Sequence, residues 1–116
     1  MPWLVSDARV LASVEKAHTR AERRRGLLGR DGFEGAYVIE PCRWVHTIGM
    51  HFPIDVAFVD DDGRVVKIAH MRRHRVGLPV RSSHLVIEAS AGAFERWGLC
   101  VGDTVEVRLD DNSMSR

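Results

Sequence analysis

The sequence has no long apolar run, no dominant charge and few cysteines. It carries 17 basic and 16 acidic side chains, a net charge of +1, so composition gives no general attraction to nucleic acid or membrane. Apolar residues occur in runs of only a few, so no membrane span is predicted. No basic leader precedes an apolar segment at the N-terminus, so we predict no signal peptide and a cytoplasmic location. There, Cys42 and Cys100 are expected to remain reduced.

The composition is typical of a folded globular chain. Hydrophobic residues make up 45% of the sequence and charged residues 28%, which are ordinary proportions for a globular protein. A chain of 116 residues fits one domain with one core. We therefore predict a single domain over residues 1–109, followed by a polar C-terminal tail at residues 110–116.

Short apolar or alternating segments predict most of the secondary structure. Strands are expected over residues 9–16, 35–40, 54–59, 64–70, 84–89 and 104–109. Because these strands are not separated by long helices, a sheet built from parallel strand–helix–strand units is not expected. The fold class predicted from this pattern is mainly β, as a single compact antiparallel barrel or two-sheet sandwich with one or two short helices.

Capping and turn residues mark where the two helices begin and end. Thr19-x-x-Glu22 matches a capping box, in which each side chain accepts a backbone N–H of the other residue. A short basic helix should follow and end at Gly26 or Gly29. Ser90 is expected to cap a second short helix.

Reactive side chains are concentrated between Cys42 and Asp55, just before a predicted buried strand. Cys42, His46 and Met50 offer soft donors that suit copper(I), and cysteine with histidine also suits zinc. However, Cys42-x-x-x-His46 without a second pair does not have the spacing of a structural zinc site. We expect Cys42 and Met50 to fill the core, so no metal and no cofactor is predicted. A metal-binding module remains an alternative.

Two carboxylates lie inside apolar strands, where an unpaired charge is costly. Asp55 and Glu88 could each brace the fold through hydrogen bonds, or line a site with a shifted pKa. With His46 as a proton shuttle they give a second alternative, a hydrolytic enzyme. Ser83 could join His46 and Asp55 in a catalytic set, although no Gly-x-Ser-x-Gly turn is present.

Arginines are clustered near residues 20–30 and again near residues 72–81. If both clusters lay on one face, they could bind phosphate groups or a nucleic acid backbone. No aromatic residues are interleaved to stack bases, and the net charge is close to zero. A solvated face is therefore favoured, and nucleic acid binding is not expected.

Several motifs together resemble the DUF192 family of small bacterial and archaeal proteins. They are Thr19-x-x-Glu-Arg-x-Arg-Gly-Leu-Leu-Gly-Arg30, His46-Thr-x-x-Met-x-Phe-Pro-Ile-Asp-Val-Ala-Phe-Val-Asp60, Val86-Ile-Glu-Ala-x-Ala-Gly92 and Gly98-x-x-x-Gly-Asp103. The resemblance implies a compact, mainly β, jelly-roll-like domain with a short helix after the first strand. It implies little about activity, because the family is largely uncharacterised.

The first hypothesis for function is a small binding or accessory domain with a polar pocket around the segment from His46 to Asp55. Polar groups gather there without a complete catalytic signature. The expected ligand is a small polar molecule or a peptide of a partner protein, with an arginine at the edge of the pocket. The residues predicted to line the pocket are His46, Thr47, Met50, Asp55, Ser83 and Glu88.

Overall fold

Seven strands pair side by side in the computed structural model, which describes residues 2–109. The predicted tail at residues 110–116 lies outside the described residues. The elements in chain order are β1 (Trp3–Ser6), β2 (Arg9–Lys16), α1 (Arg20–Arg25), β3 (Ala36–Ile39), β4 (Ile54–Val59), β5 (Val65–Met71), β6 (Leu85–Ser90), α2 (Ala93–Trp97) and β7 (Glu106–Arg108). No helix within residues 2–109 is long and apolar enough to cross a membrane.

The strands form one mixed sheet in the order β5-β4-β6-β3-β2-β1-β7. Neighbouring strands are antiparallel except β2 and β3, which run parallel because the connection between them crosses over through α1. The edge strands β5 and β7 approach each other at one corner, where the Val65 N–H donates to the Asp103 carbonyl at 2.8 Å. Within residues 2–109 an isolated bridge between Arg64 and Thr104 lies at this corner, and the two strands form no ladder. The mainly β class with two short helices is confirmed, and its strands form one curled, unclosed sheet.

Two local features differ from the sequence prediction. Strand β1 was not predicted, because it has only four residues and its turn into β2 is made by Asp7 and Ala8 at positive φ, without a glycine. The prediction that Ser90 caps α2 was wrong. The Ser90 hydroxyl donates to the Phe33 carbonyl at 2.6 Å instead, and Gly92 begins the helix without a side-chain cap of its own.

Both faces of the central strands are buried, and their side chains alternate between two apolar clusters. Ala57 and Ala89 pack in the cluster that contains Phe94 of α2. Val56 and Val86 pack in the cluster on the opposite face, which contains Leu27. Because Val56 pairs with Glu88 and Asp55 pairs with Ala89 across β4 and β6, Asp55 and Glu88 point to opposite faces of the sheet.

Asp55 fastens α2 to the sheet. Its side chain is 1% exposed, and its Oδ2 accepts the backbone N–H of Gly92 at 3.0 Å and of Phe94 at 3.1 Å. Its Oδ1 lies 2.7 Å from Nδ1 of His70, the residue opposite it on β5. The carboxylate therefore supplies the helix cap from outside the helix, and both of its oxygens have partners.

We expect Asp55→Ala to lower the free energy of unfolding by about 2–4 kcal/mol, because it leaves buried N–H groups of α2 without an acceptor. The control is His70→Ala, which removes a partner whose side chain is 71% exposed and should cost less than about 1 kcal/mol. Urea denaturation of both variants measures the difference. Equal, small losses would show that the carboxylate does not brace α2.

Candidate functional site

A cavity of about 500 Å³ opens between α1 and the chain at residues 41–50, on the sheet face that carries Glu88. Backbone and apolar side chains form its walls, four arginines of α1 lie along it, and Glu88 comes from β6. The residues that line it are Arg20, Arg23, Arg24, Arg25, Gly26, Leu27, Leu28, Ile39, Pro41, Cys42, Trp44, Val45, His46, Ile48, Met50 and Glu88. We call it the α1 cavity.

Glu88 is the unusual group of the α1 cavity. It is 4% exposed, because β6 is paired on both sides and its two faces are covered. Its Oε1 has no hydrogen-bond partner among residues 2–109, whereas buried carboxylates are ordinarily paired. Burial raises the pKa of Glu88 to about 7, and the backbone N–H of Leu27 opposes that change. The carboxyl group therefore takes up and releases a proton near neutral pH.

Gly26 allows the end of α1 to lie directly against this carboxyl group. Helix α1 is closed at its start by the predicted capping box of Thr19 and Glu22 and ends at Gly26, which has φ 53° and ψ −129°. A Cβ atom at this position would lie 2.8 Å from Oε1 of Glu88. A side chain would therefore strain the backbone and collide with Glu88, so glycine is required here.

Four arginines of α1 line the cavity. The prediction for this arginine cluster was a solvated face. Arg23 is half-buried, and Arg20, Arg24 and Arg25 are exposed. None of them forms an ion pair with a carboxylate within residues 2–109. The second arginine cluster, at residues 72–81, does not line this cavity. The sequence feature that could have indicated this role of the arginines is their spacing directly before Gly26, the glycine that ends the helix.

The segment before β4 supplies His46 and Met50 to the same cavity. Met50 is buried, and the His46 ring packs beside Trp44 with 5.3 Å between ring centroids. Nδ1 of His46 accepts the backbone N–H of Ile48 at 3.2 Å, which fixes the ring orientation. His46, Met50 and Glu88 are thus brought together, although they come from distant parts of the chain.

Three other residues predicted for the pocket do not line this cavity. The buried Thr47 hydroxyl accepts the Arg75 N–H at 2.8 Å and so ties two loops together. The Ser83 hydroxyl lies 2.8 Å from the Cys42 carbonyl, and Asp55 is held by His70 and α2 on the other sheet face. The structure therefore assembles neither a Ser83–His46–Asp55 set nor an Asp55–Glu88 pair.

Cys42 also lines the cavity, together with the other two residues of the metal hypothesis. Its thiol donates to the Trp44 carbonyl at 3.3 Å, and burial raises its pKa, which disfavours the thiolate form that binds metals. Within residues 2–109, no three histidine, cysteine, aspartate or glutamate side chains are grouped as metal ligands. The metal-binding module stays a prediction.

A family model matches this chain over residues 4–107, and its family is DUF192, described as an uncharacterized ACR. The chain belongs to the DUF192 family. No curated protein matches this DUF192 protein.

Two solved structures share its fold. A protein of unknown function from Novosphingobium aromaticivorans is 26% identical, with 90% of this chain and 82% of that chain covered and a TM-score of 0.76. A protein from Sinorhizobium meliloti, described as a candidate transcription regulator, is 22% identical, with 91% of each chain covered and a TM-score of 0.76. The family indicated by the sequence motifs and the mainly β fold that it implies are therefore confirmed.

The buried carboxyl group predicts a pH-dependent stability. The pKa of Glu88 in the folded protein is about 7, above its ordinary value of 4.5, so the folded state retains a proton that the unfolded state has released. Its contribution to stability is fully present below about pH 4.5 and is lost as pH rises through 7. The full loss is on the order of 3 kcal/mol. Glu88→Gln should lack this slope.

Urea denaturation at closely spaced pH values, on both proteins, measures the effect as the difference between the two curves. His46 also lines the cavity and is present in both proteins, and the pKa values of Tyr37 and Cys42 are raised by burial, so these two groups titrate above this window. Curves that run parallel between pH 4.5 and 7 would show that Glu88 is charged throughout.

Proposed function

We propose that this DUF192 protein is a small binding domain that holds a small polar molecule in the α1 cavity, with Glu88 as its internal anchor. The observation that carries the proposal is the Glu88 carboxyl group, which lines the cavity, is nearly fully buried and has an oxygen without a partner within residues 2–109. Burying a polar group without a hydrogen bond is costly. A hydroxyl or amide of a ligand would offset that cost.

The size and the chemistry of the cavity support a small-molecule site. Its volume of about 500 Å³ lies inside the range of roughly 300–1,000 Å³ that is usual for ligand pockets. Leu27, Leu28 and Met50 supply apolar contact, and Glu88 with His46 supplies polar contact. Ligand sites in proteins typically combine apolar walls with convergent polar groups, and here about half of the lining is polar, because the arginines of α1 add to Glu88 and His46.

A second candidate function is hydrolysis with Glu88 as the general base. A carboxyl group with a pKa of about 7 can accept a proton at neutral pH, which general base catalysis requires. His46 lines the same cavity, as the enzyme hypothesis supposed, whereas Asp55 does not. Turnover of an ester panel that is lost in Glu88→Gln would favour this candidate, and binding without turnover would favour the binding domain.

Filling the cavity should abolish binding without unfolding the protein. Leu28 is a half-buried residue of the cavity wall, so Leu28→Trp should occupy the space that a ligand needs. The matched control is Leu78→Trp, the same exchange at a position that is 73% exposed and does not line the cavity. Binding in each protein is measured by NMR, as chemical-shift changes on addition of a fragment library.

We expect fragment hits in the wild-type protein and in Leu78→Trp to shift the cavity residues, and these shifts to disappear in Leu28→Trp. Both variants should retain the melting temperature of a folded protein. Hits that shift residues elsewhere, or that persist in Leu28→Trp, would contradict a ligand site in the α1 cavity. Native mass spectrometry of freshly purified wild type then shows whether a cellular molecule is retained there.

A further inference from the structure

We infer that the ligand of the α1 cavity is an anionic amphiphile, with its negative group at the arginines of α1 and a hydrogen-bonding group at Glu88. This inference rests on the proposed function and adds the chemical class of the ligand. It follows from the arrangement of three kinds of surface around one cavity: basic at α1, apolar along the walls and carboxylic at β6.

The arginines are arranged in a way that α1 itself does not explain. Arg20 is three and four residues before Arg23 and Arg24, so their side chains are neighbours on the helix surface, where like charges destabilise a helix. Arginines in the last turn interact favourably with the helix dipole, but Arg20 is in the first turn, where a cation is unfavourable. An anion held among them would relieve both costs.

One carboxylate of the helix, Glu22, attracts Arg25, but it accepts the backbone N–H groups of His18 and Thr19 at the start of α1 and, among the described residues, forms no ion pair with the arginines. Arg30, which follows α1, forms an ion pair with Glu15, and Lys16 pairs with Glu40 at 3.0 Å. The four arginines of the cavity have no such partner within residues 2–109. Arginine guanidinium groups are well suited to carboxylate and phosphate groups, because they can donate two parallel hydrogen bonds.

Glu88 and the arginines act on different parts of a ligand. Burial and the Leu27 N–H determine the pKa of Glu88, with no contribution from a guanidinium group, so the carboxyl group is not neutralised by the arginines. Ile39, Val45 and Met50 line the cavity as well. A ligand that contacts all three surfaces therefore has a charged outer end, an apolar body and an uncharged hydrogen-bonding inner end.

Matched straight-chain probes separate these requirements. The ω-hydroxy fatty acids from hydroxyhexanoate to hydroxydodecanoate carry both polar ends, the corresponding diols lack the anion, and the plain fatty acids lack the inner hydroxyl. Alkyl phosphates with a terminal hydroxyl replace the carboxylate. Isothermal titration calorimetry at low and at moderate salt gives the affinity of each probe, because added salt weakens attraction to exposed charges.

The expected result is that at least one hydroxy acid or hydroxyalkyl phosphate binds about tenfold or more tightly than its diol, a difference that shrinks with salt. Arg23→Gln should weaken its binding about tenfold or more, the effect of losing one hydrogen bond to a charged group. Arg81→Gln, an exposed arginine outside the cavity, should have no effect. Tighter binding of the phosphate or of the carboxylate identifies which anion the site prefers.

Three results would overturn the inference, and they differ in what they imply for the proposed function. If diols bind as tightly as hydroxy acids and Glu88→Gln weakens both, the cavity binds a ligand but does not recognise an anion. If Arg23→Gln and Arg81→Gln have equal effects, the attraction is general and not located at α1. If no probe and no fragment binds in the cavity, the proposed function fails as well.

Discussion

The burial of the Glu88 carboxyl group is the constraint around which this molecule is organised. Strand β6 pairs with β3 on one side and β4 on the other, so every side chain on it enters one of two covered faces. Moving a carboxylate out of water without a partner costs several kcal/mol. This cost is reduced because the raised pKa keeps the carboxyl group neutral below about pH 7, and because the backbone N–H of Leu27 donates to it. Gly26 leaves the space that the carboxyl group occupies.

Comparison with Asp55 distinguishes a carboxylate that stabilises the fold from one that has an oxygen available to a ligand. Both are nearly fully buried, and both lie on strands that are paired on both sides. Asp55 has partners for both oxygens, in His70 and the N–H groups that begin α2, and it holds that helix in place. Among the residues that the structure describes, Oε1 of Glu88 has no hydrogen-bond partner, and it lies beside the open cavity. Burial is therefore shared by the two residues, and the difference lies in hydrogen bonding.

Much of the fold could be predicted because it depends on residues close together in the chain. The capping box of Thr19 and Glu22 and the alternating strand Ile54–Val59 are both present as expected. The site could be predicted only in part. His46 and Met50 reach the cavity, but the faces of Asp55 and Glu88 follow from the pairing register of β4 and β6, which no local pattern encodes.

The wall of the cavity that α1 forms could not be predicted for the same reason, because it also depends on long-range contacts. The basic helix was correctly placed along the chain, but its position against residues 41–50 depends on the parallel crossover from β2 to β3. Neither the arginines nor Gly26 could be assigned to the cavity until that crossover was known. Long-range contacts of this kind determine sites, because a site brings together groups that are far apart in sequence.

A carbon NMR titration of the glutamate side-chain carboxyl groups decides whether Glu88 is protonated near neutral pH, with its resonance assigned by its absence in Glu88→Gln. We expect the Glu88 resonance to titrate with a midpoint near pH 7, whereas hydrogen bonds hold the pKa values of Glu15, Glu22 and Glu40 below their usual range. A midpoint near 4.5 would show a carboxylate that is already solvated or paired. In that case Glu88 would be no more than a structural residue, and the α1 cavity would lose its anchor.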